Sequence, residues 1–357
     1  MAIYIDNQKK IKDIFINVNG QKKRIESVFT NKAGVPAKVY QKKSSSDIEV
    51  DPEKIAPINE INYWDYTLND NTRTVTLNYY ADKLYESNRI ITVYSHYNVN
   101  GKIYKTQLAN YGENGTTKKS YMFSYVNDQD DSTIIFKEGI DTSNLTCTSY
   151  MFYYYGYRRT GKIVGLENLD TSNVTDMSNM FLYMSCQSLD VSGLNTSNVT
   201  DMENMFMGNY ATSIIGLNNF DVSNVTNMSG MFYSCEFLTT LDLSGWRTSL
   251  KLYMMGNMFS YCKKLSSIKF SGFTMNTRSV VNFSYMFMHC DSLTTLDLTG
   301  WMTNSCDNSD PEIGGEYNMF AFSPNLTTIY VTTGYWTLQN ETHSMFIGCG
   351  TSNVTYQ

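Results

Sequence analysis

Two short stretches decide the fold of this chain: DTSNVTDMSNMF at 170–181 and LTTLDLSGW at 238–246. The first returns as DTSNLT at 141–146, NTSNVTDM at 195–202 and DVSNVTNM at 221–228, and the second as LSSIKFSGF at 265–273 and LTTLDLTGW at 293–301. The Met-Phe pair occurs nine times, with Phe at 123, 152, 181, 206, 232, 259, 287, 320 and 346. This regular return predicts an array of stacked structural repeats.

One repeat contains two patterns with different periods. The leucines of LTTLDLSGW alternate with polar residues, which is the period of a short strand, and Gly245 then ends it. Asn173 suits a helix N-cap, while Val174, Met177 and Phe181 would share one helix face. Neither element can bury its apolar side alone. We therefore predict an α/β leucine-rich-repeat solenoid of about nine strand-turn-helix units over residues 121–357.

The cysteines follow the repeat. Four of the seven stand three residues after the Phe of their unit: Cys235, Cys262, Cys290 and Cys349. Because free Cys fills irregular core gaps well, we expect a buried column of thiols, with Asn209 and Ser323 replacing Cys at two positions. The odd number and the absence of a CxxC motif favour neither a disulfide framework nor a zinc site.

The N-terminal 40 residues form a separate pattern. Residues 14–25 align with 28–39, and turns at Asn19-Gly20 and Ala33-Gly34 predict two β-hairpins. A module of residues 1–40 buries little core, so we expect it to dock on a partner. The candidate docking residues are Phe15, Asn19, Gly20, Phe29 and Gly34. Ser-rich residues 41–60 are interpreted as a linker, and residues 61–120 as a β-rich cap before the repeats.

Positive and negative charges are distributed unevenly along the chain. The net charge is −6, but residues 1–43 hold ten Lys/Arg and three acidic residues, which leaves −13 for the remainder. The lysines suit either a solvated sheet edge or a nucleic-acid contact. No motif of a known nucleic-acid reader accompanies them, and we expect no nucleic-acid partner. No apolar run suits a membrane span or a secretion signal, so neither is predicted.

Catalytic chemistry has little support in the sequence. The three histidines lie in different segments, and no nucleophile-elbow, zinc-protease or phosphate-loop motif is present, so no enzyme activity, metal or cofactor is predicted. Acidic clusters at 128–131 (DQDD) and 307–312 (DNSDPE) offer carboxylates that could hold calcium, but turn formation alone is the favoured explanation.

The outward positions of the strands supply a candidate binding face. Its residues are Thr240, Asp242, Ser244, Lys269, Thr295, Asp297, Thr299 and Tyr330. Lys269 falls between Asp242 and Asp297 in the stack, which reduces repulsion between like charges. Solenoids commonly bind ligands on such extended faces, but a merely solvated sheet face is the open alternative.

The repeat motifs resemble the BspA-like, Mycoplasma-type leucine-rich repeats over roughly residues 121–357. The stretch 63–112 is similar to the N-terminal cap that precedes such arrays. Residues 1–40 resemble a short head on proteins of bacteriophages and prophages that infect Gram-positive hosts. Departures occur at 247–252 and 302–318, where the TSNVT signature is replaced.

These resemblances imply a non-enzymatic virion structural or fibre protein. Residues 1–40 would bind other virion proteins, and the solenoid would bind a protein or glycan on the host-cell surface, with a homo-oligomer possible. A bacterial cell-surface adhesin is the alternative, and a host-wall glycan hydrolase is a weaker one. The expected location is the particle surface, or the bacterial surface for the alternative.

Overall fold

In the computed structural model, two parts of the chain are distinct compact units, Met1–Val50 and Asp51–Gln357. The structure describes residues 15–18, 21–24, 27–32, 35–41, 55–56, 61, 64–80, 90–109, 122–124, 132–156, 161–248, 250–271, 282–301, 317–334, 345–352 and 354–357.

The N-terminal unit contains the two predicted hairpins. Its strands are β1 Phe15–Val18, β2 Gln21–Arg24, β3 Ser27–Lys32 and β4 Val35–Gln41. Strands β1 and β2 pair antiparallel, with Val18 opposite Gln21, and β3 pairs antiparallel with β4, with Lys32 opposite Val35. Both pairs leave two residues between the strands, as the Asn-Gly and Ala-Gly turns predict.

The second unit begins with two sheets. Their strands are β5 Ile55–Ala56, β6 Trp64–Asn69, β7 Thr74–Tyr80, β8 Ile90–Val93, β9 His96–Val99, β10 Lys102–Ala109, β11 Thr133–Phe136, β12 Asp141–Asn144 and β13 Lys162–Val164. The six-stranded sheet has the order β5-β9-β10-β7-β6, and β12 pairs with β10. The other sheet, β13-β11-β8, is parallel throughout.

Short parallel strands follow in the repeats. They are β14 Ser188–Asp190, β15 Ser213–Ile215, β16 Thr240–Asp242, β17 Ser267–Lys269, β18 Thr295–Leu298, β19 Thr328–Val331 and β20 Thr355–Tyr356. Each pairs in register with the equivalent residues of a neighbouring repeat, as in Leu241 opposite Ile268 and Leu296 opposite Ile329. Leu241 and Leu296 are buried while Thr240 and Thr295 are exposed, which agrees with the predicted alternation.

The prediction of a short helix in each repeat is wrong. The described residues contain no α-helix, and their helical structure consists of 3₁₀ turns, the longer ones at Leu166–Asn168 and Leu217–Asn219. The described part of the chain is therefore built almost entirely from strands and turns, and the α/β solenoid prediction is contradicted. Asn173 caps no helix; its side-chain Nδ2 donates to the carbonyl of Ser143 in the preceding repeat at 3.2 Å.

A ladder of turns takes the place of the helix. In the repeat of Phe181, the N–H groups of Met177, Asn179, Phe181 and Tyr183 donate to the next repeat. The N–H groups of Met180, Leu182 and Met184 donate three residues back along the chain, and that of Ser178 donates to Asp176 Oδ1. Alternate donors thus satisfy the backbone within one repeat and between repeats, as a buried backbone requires. Asn179 and Tyr183 have positive φ of 58° and 54°, which interrupts a right-handed helix.

The TSNVT signature holds adjacent repeats together. Thr171 Oγ1 donates to the carbonyl of Asn195 in the next repeat at 2.9 Å. Asn198 Nδ2 donates to the carbonyl of Ser172 in the preceding repeat at 2.7 Å. Thr200 Oγ1 donates to the carbonyl of Thr175 at 3.1 Å. The polar residues of the motif therefore have structural partners, and its Val is buried.

A stack of phenyl rings runs through the core. The nine Phe residues of the Met-Phe pairs stack in sequence, with centroids 5.2 to 5.9 Å apart and ring planes within 20° of parallel. Eight of them are buried and Phe346, at the end, is half-buried. The buried Met residues of the same pairs line this stack. Each repeat therefore depends on the next for its core.

Candidate binding surface

The residues of the predicted strand face lie at the surface in two small sheets. Thr240 lies opposite Ser267, and Asp242 lies opposite Lys269, across β16 and β17. Asp297 lies opposite Tyr330 across β18 and β19. The exposed members of the face are Thr240, Lys269, Thr295, Asp297 and Thr299, and the half-buried ones are Asp242, Ser244 and Tyr330.

The charged side chains of this face form ion pairs and hydrogen bonds with other residues of the same face. Lys269 Nζ lies 3.6 Å from Asp242 Oδ2, which agrees with the expectation that this lysine reduces repulsion along the column. Asp242 Oδ1 accepts hydrogen bonds from the Ser244 hydroxyl and backbone N–H, and these bonds hold the pKa of the carboxyl below its usual value. Asp297 accepts the N–H of Thr299 in the same way, at 3.0 Å.

The candidate docking residues fall in the N-terminal unit. Phe15 begins β1, and Phe29 lies within β3 opposite Lys38. Asn19, Gly20 and Gly34 lie outside the described residues. The docking role stays a prediction.

Three members of the predicted column of cysteines are buried. Cys235, Cys262 and Cys290 are at most 1% exposed, whereas Cys349 is half-buried. Each buried thiol donates to the carbonyl of the Phe in the preceding repeat, at 3.0, 3.1 and 3.2 Å. Burial raises the pKa of the Cys235 and Cys290 thiols. These two thiols are therefore poor nucleophiles, because the thiolate is the reactive form.

The two residues that replace Cys make the same bond. Ser323 Oγ donates to the carbonyl of Phe287 at 2.8 Å, and Asn209 Nδ2 donates to that of Phe181 at 3.4 Å. In these five repeats the side chain therefore donates a hydrogen bond to the preceding repeat in addition to packing in the core.

A second surface feature was not predicted from the sequence. We call it the turn-side row, and it consists of the described residues two positions after the stacked Phe residues, from Phe152 onward: Tyr154, Tyr183, Gly208, Ser234, Tyr261, His289, Phe322 and Gly348. All eight have positive φ, between 54° and 66°. Neighbouring rings pack on one another, with centroids 5.0 Å apart for Tyr154 and Tyr183, 4.6 Å for Tyr261 and His289, and 5.0 Å for His289 and Phe322.

The row lacks a ring at Gly348, its last member, and in two adjacent repeats inside the array, where a cleft lies. Gly208 and Ser234 replace the aromatic residues. The cleft has a volume of about 150 Å³. Its lining residues are Tyr183, Gly208, Asn209, Tyr210, Ser234, Glu236 and Phe237. The ring of Tyr183 packs directly against Gly208. A Cβ at position 208 would lie only 2.3 Å from this ring, so the ring can take this position only because residue 208 is glycine.

Exposed rings and a neutralised charge border the cleft. Tyr210 and Phe237 stack with centroids 5.5 Å apart, and they are 42% and 37% exposed. Glu236 Oε1 lies 2.8 Å from Lys263 Nζ, an ion pair that raises the pKa of the lysine. Lys264 Nζ lies 4.7 Å from the centroid of the Phe237 ring.

The described residues offer aromatic and polar groups for ligand binding. Among them no cluster of His, Cys, Asp and Glu is arranged to hold a metal ion, and no helix is long and apolar enough to cross a membrane. The acidic segments 128–131 and 307–312 lie outside the described residues. The cleft can offer ring stacking together with a hydroxyl that donates or accepts hydrogen bonds and a carboxylate that accepts them.

Comparison with protein families gives one match. A family model described as "Mycoplasma protein of unknown function, DUF285" matches residues 117–210, 149–273 and 243–349. The three segments overlap and together extend from residue 117 to residue 349, which is more than half of the chain. No curated protein and no solved structure matches the chain.

Proposed function

The chain belongs to the DUF285 family of Mycoplasma proteins of unknown function, and from this premise we propose that it is a non-enzymatic attachment protein. In this proposal the stacked repeats bind a protein or glycan on the surface of a host cell, and residues 1–40 fix the protein to a phage particle. The family match agrees with the Mycoplasma-type resemblance of the repeats, and it does not include the N-terminal hairpins.

The observation that carries the proposal is the cleft in the turn-side row. Most polar groups of the repeat motif are used to join neighbouring repeats, as Thr171 and Asn198 show. The rings of Tyr210 and Phe237 instead stack on one another at the surface. Exposed aromatic groups beside a concave polar site are a common feature of ligand-binding surfaces. The strand face of Thr240 to Tyr330 remains a second candidate contact area.

Two observations support a separate attachment role for the N-terminus. Met1–Val50 is a compact unit distinct from Asp51–Gln357, and its described strands form two small antiparallel pairs. A two-stranded hairpin is marginally stable alone in water. Such a unit gains stability when it binds a larger structure, here the particle.

The location of the protein tests this proposal. Antibodies against the full chain are applied to purified, intact phage particles and to washed envelopes of uninfected bacteria that carry the gene. The proposal predicts labelling of particles at a defined position. Particles without label, together with labelled bacterial envelopes, would contradict it.

The second candidate function is a bacterial cell-surface adhesin. The family description favours it, because the matching model is defined on Mycoplasma proteins. Both functions use the same repeat surface for binding, and they differ in what the N-terminal unit contacts. Labelled envelopes in the experiment above would support this second candidate.

A further inference from the structure

The cleft differs from the rest of the turn-side row in a systematic way. At this position the flanking repeats carry Tyr154, Tyr183, Tyr261 and His289, whose rings pack along the stack. Gly208 and Ser234 carry no ring. Their positive φ of 63° and 58° shows that the backbone here follows the same path as in the other repeats. The ring of Tyr183 packs against Gly208, and the ring that Ser234 lacks leaves the cleft open beside it.

The size of the cleft limits what can enter it. Its volume is about 150 Å³. Protein cavities of about this volume hold one six-membered ring, as an engineered cavity that binds benzene shows. A single cyclic group thus fits, and the open side of the cleft leaves the rest of a longer ligand in solvent.

The wall chemistry suits a ring that is apolar on its faces and polar at its edges. Tyr183, Tyr210 and Phe237 contribute aromatic surface, and an aromatic face is electron-rich and attracts polarised C–H groups. Ser234 and Glu236 contribute a hydroxyl and a carboxylate to the lining. A sugar in its pyranose form has C–H groups on its faces and hydroxyls around its edge.

The charge of the wall favours a neutral ligand. Glu236 is paired with Lys263 at 2.8 Å, so the carboxylate and the ammonium group largely cancel. Lys264 does not line the cleft, and its ammonium group lies over the ring of Phe237. A paired carboxylate can still accept hydrogen bonds from hydroxyl groups.

We propose that this cleft binds one neutral hexopyranose unit of a surface glycan, with its ring against Tyr210 and its hydroxyls on Ser234 and the Glu236–Lys263 pair. The inference rests on the proposed attachment function and names its ligand class. The aromatic side chain of a partner protein would use the same rings without the polar rim, so it is the competing occupant that the experiment must distinguish.

The test uses the full chain and small probes. Methyl glucopyranoside, galactopyranoside and mannopyranoside are each titrated into the protein, and binding is followed by ligand-observed NMR and calorimetry. N-acetylphenylalaninamide serves as the probe for an aromatic side chain. The same hexosides are then used to compete with attachment of the labelled protein to host cells.

The variants are chosen to preserve the fold. Ser234→Tyr restores the ring that Tyr183 and Tyr261 carry at the same backbone position with positive φ, and it should fill the cleft. Tyr210→Ala removes the exposed platform. The matched control is Tyr253→Ala, which truncates a tyrosine that is 47% exposed and does not line the cleft. Circular dichroism and thermal melting check that each variant is folded.

The expected result is binding of at least one hexoside at millimolar concentration. Ser234→Tyr and Tyr210→Ala should each weaken this binding about tenfold or more, whereas Tyr253→Ala should leave it within about twofold. Absence of hexoside binding, equal binding by folded Ser234→Tyr, or binding of N-acetylphenylalaninamide in place of the hexosides would overturn the inference.

Failure of the inference and failure of the proposed function give different results. Attachment to cells that neither a hexoside nor Ser234→Tyr affects would overturn the hexopyranose site and leave the attachment function intact. Hexoside binding at the cleft without attachment to cells would support the site and count against the attachment function.

Discussion

Truncation of one ring in the phenyl stack should destabilise the repeats strongly. Phe206 is fully buried and lies between Phe181 and Phe232, with centroids 5.5 and 5.4 Å away. Phe206→Ala removes the ring from both contacts and leaves a cavity. Burial and cavity terms for such a change cost about 3–5 kcal/mol, and each stacked pair contributes about 0.5–1.5 kcal/mol of that total beyond its buried area.

The assay is equilibrium unfolding in urea followed by circular dichroism. The expected result is a free energy of unfolding lower by about 3–5 kcal/mol than that of the unchanged chain. Tyr253→Ala, which truncates an exposed ring, is the control and should change it by no more than about 0.5 kcal/mol. A loss below about 1 kcal/mol for Phe206→Ala would refute the claim that the ring stack forms the core.

A double-mutant cycle sharpens this test. Phe181 and Phe206 are in contact, so their alanine substitutions should be non-additive by about 0.5 kcal/mol or more. Phe152 and Phe287 are separated by four stacked rings, and their effects should add within about 0.5 kcal/mol. Equal coupling for the two pairs would contradict a stack in which each ring contacts its neighbours.

Three further predictions concern other parts of the chain. Cys235→Ala should lower the free energy of unfolding by about 1–2 kcal/mol in urea titrations, because it removes the thiol donor to the Phe206 carbonyl, while Cys235→Ser should cost less than about 1 kcal/mol. Asp201→Asn should raise stability by about 0.5–1 kcal/mol at pH 7. Burial and then the charge of Asp176 raise the pKa of the Asp201 carboxyl, so the wild-type stability falls as pH increases through that pKa, and the gain should vanish in melts at pH 3. Deletion of residues 1–45 should leave the circular dichroism signal of the repeats and abolish incorporation into particles; retention on purified particles would count against docking by the N-terminus.

Asp201→Asn is a conservative test because the next repeat already contains Asn. Asn227 forms the bridge opposite Asp201, and its Oδ1 accepts the N–H of Ser229 at 2.9 Å. Asp201 Oδ1 accepts the N–H of Glu203 at the same distance. The substitution thus keeps the turn and removes only the charge. An unchanged or lower stability at pH 7 would contradict the like-charge argument.

The repeat array and its core could be predicted from the sequence. Nine Met-Phe pairs predict nine stacked positions, and the structure stacks all nine rings. The spacing of Cys235, Cys262 and Cys290 predicts their burial. The hairpin turns near the N-terminus predict two antiparallel pairs.

The helix was predicted wrongly for a physical reason. Val174, Met177 and Phe181 are all buried, as a helix face would require. A series of turns that donate three residues back buries nearly the same positions, so periodicity does not separate the two structures. The turns are favoured because every second N–H donates a hydrogen bond to the next repeat, such as Phe181 to Met205 at 2.9 Å. These bonds need a neighbouring repeat, so the sequence pattern of a single repeat does not reveal them.

The cleft was missed because it depends on residues that depart from the repeat. Gly208 and Ser234 shape the cleft because they carry no aromatic ring where most other repeats carry one. Tyr210 and Phe237 have no counterpart in the consensus unit. The available signal was the interruption of aromatic residues two positions after each Phe. Attention to the repeated positions of the strands led instead to the face of Thr240 to Tyr330, whose function stays a prediction.

Saturable attachment to host cells is the most direct test of the central claim that the repeats bind a cell surface. The labelled full chain is incubated with host bacteria, and antibodies against Asp51–Gln357 or against Met1–Val50 are used as competitors. The proposal predicts saturable binding that antibodies to the repeats block and antibodies to the N-terminal unit do not. Absence of saturable binding, or a block by antibodies to the N-terminal unit alone, would contradict it.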